Sequence, residues 1–159
     1  MTTDSAVRAR TGVRARRVRR VQMILCFLLL AQFLFGMAVN LFVKIPDDHP
    51  GAHPPEYFSG VAQSVAWATA SGGLWLASHA GTGLLLVVAA AFALVLSIGA
   101  RSRAALASSI VGFLAILGAG FNGGSFLNYG EDFSSMIMAS LWAVAMGSYL
   151  VGIYRIKGS

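Results

Sequence analysis

Apolar positions gather into four long blocks, at about residues 21–43, 74–98, 104–127 and 134–154, and none has Asp, Glu, Lys or Arg in its interior. A helix needs about 20 mainly apolar residues to cross a bilayer. Each block is long enough, so the pattern predicts four transmembrane helices. The punctuation between them agrees: Pro46 follows the first, Gly72 and Gly73 precede the second, Arg101 and Arg103 part the second from the third, and Asn128, Tyr129 and Gly130 end the third.

Within the blocks, small and polar residues recur at helical spacing. Gln32, Gly36 and Asn40 form one such stripe. His79, Gly83, Leu86, Ala90, Ala93 and Ser97 form a second, Ser108, Gly112, Ala115, Ala119 and Asn122 a third, and Ala139, Ala143 and Gly147 a fourth. Such spacing puts each set on one helical face. Between lipid-embedded helices the hydrophobic effect is absent, and small residues with polar partners carry the packing. The expected fold is all-α: an antiparallel four-transmembrane-helix bundle with a short interfacial helix in the first outer loop, residues 44–73. Residues 1–20 make a basic tail, and residues 21–159 a single membrane domain.

Composition strengthens this reading. The 159 residues are 57% hydrophobic and 11% charged, against about 25% charged in soluble domains. The net charge of +6 is concentrated in seven arginines between Arg8 and Arg20. With the N-terminus inside, eleven of the twelve basic residues fall on the inner side and only Lys44 lies outside. That distribution predicts a multi-pass protein of the plasma (inner) membrane with both termini cytoplasmic. Arg14, Arg16, Arg17, Arg19 and Arg20 are candidate lipid contacts on the anionic inner leaflet. The tail lacks the interleaved aromatics of a nucleic-acid arm. The first block is too long for the core of a cleaved signal peptide. Cys26 is the single cysteine, which leaves no partner for an intramolecular disulfide.

The outer loop divides in two. Pro46, Pro50, Pro54 and Pro55 prevent a continuous helix in its first part. From Glu56 to Ala70, residues Phe58, Val61, Ala62, Val65, Ala66 and Thr69 fall at helical spacing, which predicts an amphipathic helix with that stripe on its apolar face.

Candidate chemistry is sparse. Asn40, His79 and Asn122 each lie about five residues, or roughly 7 Å, below the outer ends of their helices. Met138 reaches the same level, and Gln32 lies deeper. Together they predict a polar layer, either interhelical hydrogen bonding or a ligand site. His79 is the sole histidine inside a block. With Gly81 and Gly83 beside it and a methionine as second ligand, it is a candidate site for haem b or for a quinone. Asp47, Asp48, His49 and His53 are zinc-ligand types, but the prolines deny them helical spacing, so they make only a weak metal candidate. Coupled transport needs a membrane-buried carboxylate, which the blocks lack, and no hydrolase motif is present. Four glycines, at 118, 120, 123 and 124, precede Asn128, Tyr129, Glu131 and Asp132 in the second outer connection. Those four polar residues are candidate docking positions for a partner, with Asp132 or Ser134 capping the last helix. The expected function is a non-enzymatic accessory or assembly subunit that meets other membrane proteins or a second copy of itself, with a haem- or quinone-binding protein as the alternative.

Overall fold

The computed structural model describes residues 3–100 and 102–156, with side chains from residue 12 onward. Arg101, Lys157 and the side chains of Arg8 and Arg10 lie outside the described residues. Five helices follow one another: α1 (Thr3–Phe42), α2 (Tyr57–Ser71), α3 (Gly73–Ile98), α4 (Arg103–Tyr129) and α5 (Asp132–Arg155), and no strand occurs among the described residues. Four helices, α1, α3, α4 and α5, are long and apolar enough to cross a membrane.

The helix limits follow local chemistry. Ser102 caps α4, its Oγ accepting from the Ala105 amide at 3.3 Å. Gly130 ends α4 at φ 69°, where its N–H bonds the Phe126 carbonyl at 2.8 Å, a left-handed close that a glycine makes without a Cβ clash. Glu56 caps α2 by accepting from the amides of Phe58 and Ser59 at 2.9 and 2.6 Å. At α5 the residue before the first turn is Glu131, and no side chain caps it. The caps expected from Asp132 and Ser134 are therefore not made. Asp132 instead occupies the first turn, where its charge complements the positive end of the helix dipole. No boundary separates the basic tail from the first apolar block, because nothing after Gly12 breaks helical geometry; α1 runs on for 40 residues.

Two buried clusters hold the long helices together. The larger gathers Leu25, Cys26 and Leu29 of α1, Leu86, Ala90 and Ala93 of α3, Ala115 and Ile116 of α4, and Ala145 and Tyr149 of α5. The smaller packs Val18 of α1 against Ala100, Ala105 and Ile156. The stripes expected on α3 and α4 are the faces buried here: Leu86, Ala90, Ala93 and Ser97 on one, Ser108, Gly112 and Ala115 on the other. The stripe expected on α5 is not. Ala139, Ala143 and Gly147 are exposed, and α5 buries Ser134, Ala145, Tyr149 and Gly152 instead.

Glycines set how closely α5 approaches. A Cβ on Gly112 would overlap the Tyr149 ring, and one on Gly152 would overlap the Ser108 hydroxyl. A tyrosine on α5 thus fills the notch of a glycine on α4, with a glycine–serine contact one turn away. The face of α2 is also rotated from expectation. Gly60, Ser64 and Ala68 are buried, while Phe58, Ala62, Ala66 and Thr69 are exposed. Polar and small groups win this face because α2 docks on the polar end of α4, where Ser64 finds a partner and Gly60 permits close approach.

Candidate functional site

The α1–α2 loop and α2 form a hydrogen-bonded cap over the end of α4. A helix leaves its last carbonyls without intrahelical partners, and here the preceding loop supplies donors. His49 Nε2 lies 3.0 Å from the Leu127 carbonyl, and the His53 amide donates to the Asn128 carbonyl at 2.8 Å. His49 Nδ1 also lies 3.0 Å from the Pro50 carbonyl. A neutral imidazole donates through one nitrogen, and the doubly protonated ring through both. The ring of His49 is buried and stacks on Trp67 of α2, centroids 4.4 Å apart at 11°. Each His49 nitrogen thus faces a backbone carbonyl, and which one receives the N–H depends on the tautomer. Asp47, Asp48 and His53 are exposed, and no group of three His, Cys, Asp or Glu side chains suited to a metal ion occurs among the described residues.

Asn128 is the hub of the cap. Its Oδ1 accepts from Ser64 Oγ at 3.0 Å and its Nδ2 donates to the Tyr57 carbonyl at 3.3 Å. It is 1% exposed, so the docking position expected at Asn128 is corrected: the amide is consumed inside the fold. Tyr129, Glu131 and Asp132 do lie at the surface. Tyr57 pins α2 further, its hydroxyl donating to the Phe121 carbonyl at 2.7 Å. Gly124 lets Val61 of α2 approach, since a Cβ there would meet Val61 Cγ2 at 2.7 Å.

Beneath the cap, the expected polar layer does not assemble. Only Gln32 and His79 meet, the Gln32 amide nitrogen donating to His79 Nε2 at 3.3 Å. Asn122 turns back on its own helix and donates to the Gly118 carbonyl at 2.9 Å. Asn40 is exposed. Met138 lies beside Gly123, where a Cβ would stand 3.3 Å from its sulfur. The depth expectation fails in part: His79 stands level with Gln32 and Gly36 of α1, below Asn40. The glycines near His79 do not open a slot for a flat ring. A Cβ on Gly36 would meet the imidazole Cε1 at 3.0 Å and one on Gly83 the Gln32 amide at 3.4 Å, while Gly81 has nothing within 4 Å. His79 and Gln32 fill the spaces themselves. His79 Nδ1 and Gln32 Oε1 are buried without a hydrogen-bond partner among the described residues.

A second polar cluster, unexpected from the sequence, sits toward the opposite end. Gln22 is fully buried and its Nε2 donates to Ser108 Oγ at 2.7 Å and Ser109 Oγ at 3.1 Å. It ties α1 to α4 next to Gly152 of α5. The available signal was a glutamine at the edge of an apolar block together with the Ser108–Ser109 pair. Their spacing within one helix carries no hint that they face each other. Trp142 adds a third cross-link, its indole N–H donating to the Leu29 carbonyl at 2.7 Å.

Grooves between helices mark the surface of the described residues. One, of about 410 Å³, runs between α4 and α5, lined by Ala104, Ala107 and Val111 on one side and Gly147, Val151 and Arg155 on the other, among others. The second, of about 340 Å³, lies between α1 and α3, lined by Arg14, Arg17, Val95, Leu96 and Gly99. Arg14 reaches across it to the Gly99 carbonyl at 3.2 Å, serving a carbonyl at the α3 terminus. Arg16, Arg19 and Arg20 are also exposed.

Compared with protein-family models, curated proteins and solved structures, the chain shows no match.

Proposed function

We propose that this chain is a non-enzymatic subunit of a membrane assembly that presents one face of α5 to a helix of a partner membrane protein. The observation that carries the reading is the outward stripe Ala139, Ala143 and Gly147, exposed and four residues apart. Small residues at this spacing allow another helix to approach backbone to backbone in lipid. The shallow groove beside Gly147 continues that surface.

The reading includes a topology. The four long helices form an antiparallel bundle in the plasma membrane with both termini cytoplasmic, and α2 lies at the outer interface with Phe58 toward lipid. Eleven of twelve basic residues on one side support it, as do the pairings of Arg14 with Gly99 and of Gln32 with His79. In a Cys26→Ala background, Asp48→Cys should react with a membrane-impermeant maleimide on intact cells, whereas Lys157→Cys should react only after lysis. The reverse pattern overturns the topology.

Partner docking has its own test. Chemical cross-linking in native membranes, followed by purification of the tagged chain, should yield a defined partner band. Ala143→Leu with Gly147→Leu should abolish that band while leaving the amount of inserted protein unchanged. An unaltered band, or a chain that cross-links to nothing, rejects the α5 surface as the docking face. A haem or quinone at His79 has less support, because the ring and the Gln32 amide occupy the room that such a group needs.

A further inference from the structure

We infer that the cleft between α1 and the end of α3 is a discrete binding site for one anionic phospholipid. A basic segment ahead of a membrane span ordinarily attracts anionic lipid diffusely, each charge acting through the surface potential. The geometry here is more particular. Arg14 and Arg17 stand three residues apart on α1, hence on one face, and both line a cleft of about 340 Å³ floored by Val95, Leu96 and Gly99. The Arg14 guanidinium is held in place by its bond to the Gly99 carbonyl at 3.2 Å. A guanidinium has five N–H donors, so this bond orients the group and leaves donors for a phosphate, which arginine takes in a paired, planar geometry. Arg17 supplies the second cation.

The floor identifies the rest of the ligand. Val95 is 66% exposed on a helix apolar enough to cross a membrane, directly beneath two arginines. A free phosphate has no use for an apolar floor, and a neutral zwitterionic lipid gains less from two guanidiniums. An anionic headgroup above with an acyl chain along Val95 and Leu96 satisfies both halves. Placing the cleft at the cytoplasmic leaflet rests on the proposed topology; the binding chemistry does not.

The test uses the full chain in detergent micelles, which have no sides, so failure here is separate from failure of the topology, which maleimide labelling reads. Native mass spectrometry is run with added phosphatidylglycerol or phosphatidylcholine. The wild type should retain one phosphatidylglycerol and release phosphatidylcholine at the same concentration. Arg17→Gln should weaken retention about fivefold, whereas Arg103→Gln, which removes one charge from the α4 start outside the cleft, should leave it unchanged. Arg17 is chosen because it is exposed and leaves the Arg14 bond to Gly99 intact. Inorganic phosphate should fail to displace the lipid. Equal retention of the two lipids, equal weakening by both substitutions, or displacement by inorganic phosphate would each overturn the site.

Discussion

Tyr149 and Gly112 form one of the tightest contacts in the fold, because a tyrosine ring occupies the volume of an absent Cβ. Gly112→Ala forces the ring or the helix to move. Overpacking a close-fitted interior costs typically about 1–3 kcal/mol, so thermal unfolding in detergent should show a clear loss of stability. The Tyr149 hydroxyl is buried without a hydrogen-bond partner among the described residues. A buried polar group left unpaired is costly, so Tyr149→Phe should leave stability unchanged or raise it. If Tyr149→Phe proves as damaging as Gly112→Ala, the hydroxyl has a role that ring packing does not explain. Gln22 offers a graded comparison. Its two bonds to Ser108 and Ser109 cross between helices, where such bonds average about 0.6 kcal/mol. Ser109→Ala should therefore cost less than Gly112→Ala in the same assay.

At the scale of elements, the loop between α1 and α2 caps the end of α4. His49 and the His53 amide serve two of its terminal carbonyls, and Asn128 ties it to Ser64 and Tyr57 of α2. Asn128→Leu removes both bonds of the amide and leaves the buried Ser64 hydroxyl without its acceptor. It should release α2 and the loop together, seen as faster cleavage within residues 44–56 by protease added from the outer side. Asp48→Asn, at an exposed position, should cleave at the wild-type rate. Helix existence and most ends were legible because breaking residues act locally, as at Gly72 and Gly130; the start of α1 was not, since the helix runs from Thr3 through the basic segment without a break. Which face each helix buries was legible only in part. The α3 and α4 stripes are surrounded by neighbours, so small residues there point inward. On α5 the small stripe points out, because the chain's own contacts are made through Tyr149 and Gly152, one bulky and one small residue that fit Gly112 and Ser108 by shape. Periodicity reports that a stripe exists and is silent on its partner. The pairing of Gln22 with Ser108, 86 positions apart, is of the same kind.

For the whole molecule, the absence of a common polar centre is the feature that bears on function. His79, Asn40, Asn122 and Met138 do not share a site: His79 meets Gln32 and Gly36, well down α1 from Asn40, and Asn122 bonds its own helix. The filled space around Gly36 and Gly83 gives a direct expectation: protein purified from haem-replete cells in mild detergent should show no Soret absorbance, and His79→Ala should alter stability without altering the spectrum. A Soret band lost in that variant would overturn the subunit reading in favour of a haem protein.

One consequence follows from the unbroken course of α1. Forty residues in one helix span about 60 Å, roughly twice the thickness of the hydrocarbon layer. No break in helical geometry falls between Arg14 at one end of the packed region and Gly36 at the other. In the proposed topology, therefore, about half of the helix stands beyond the hydrocarbon layer, and the arginine-bearing turns reach the interface on the same rigid rod that packs against His79.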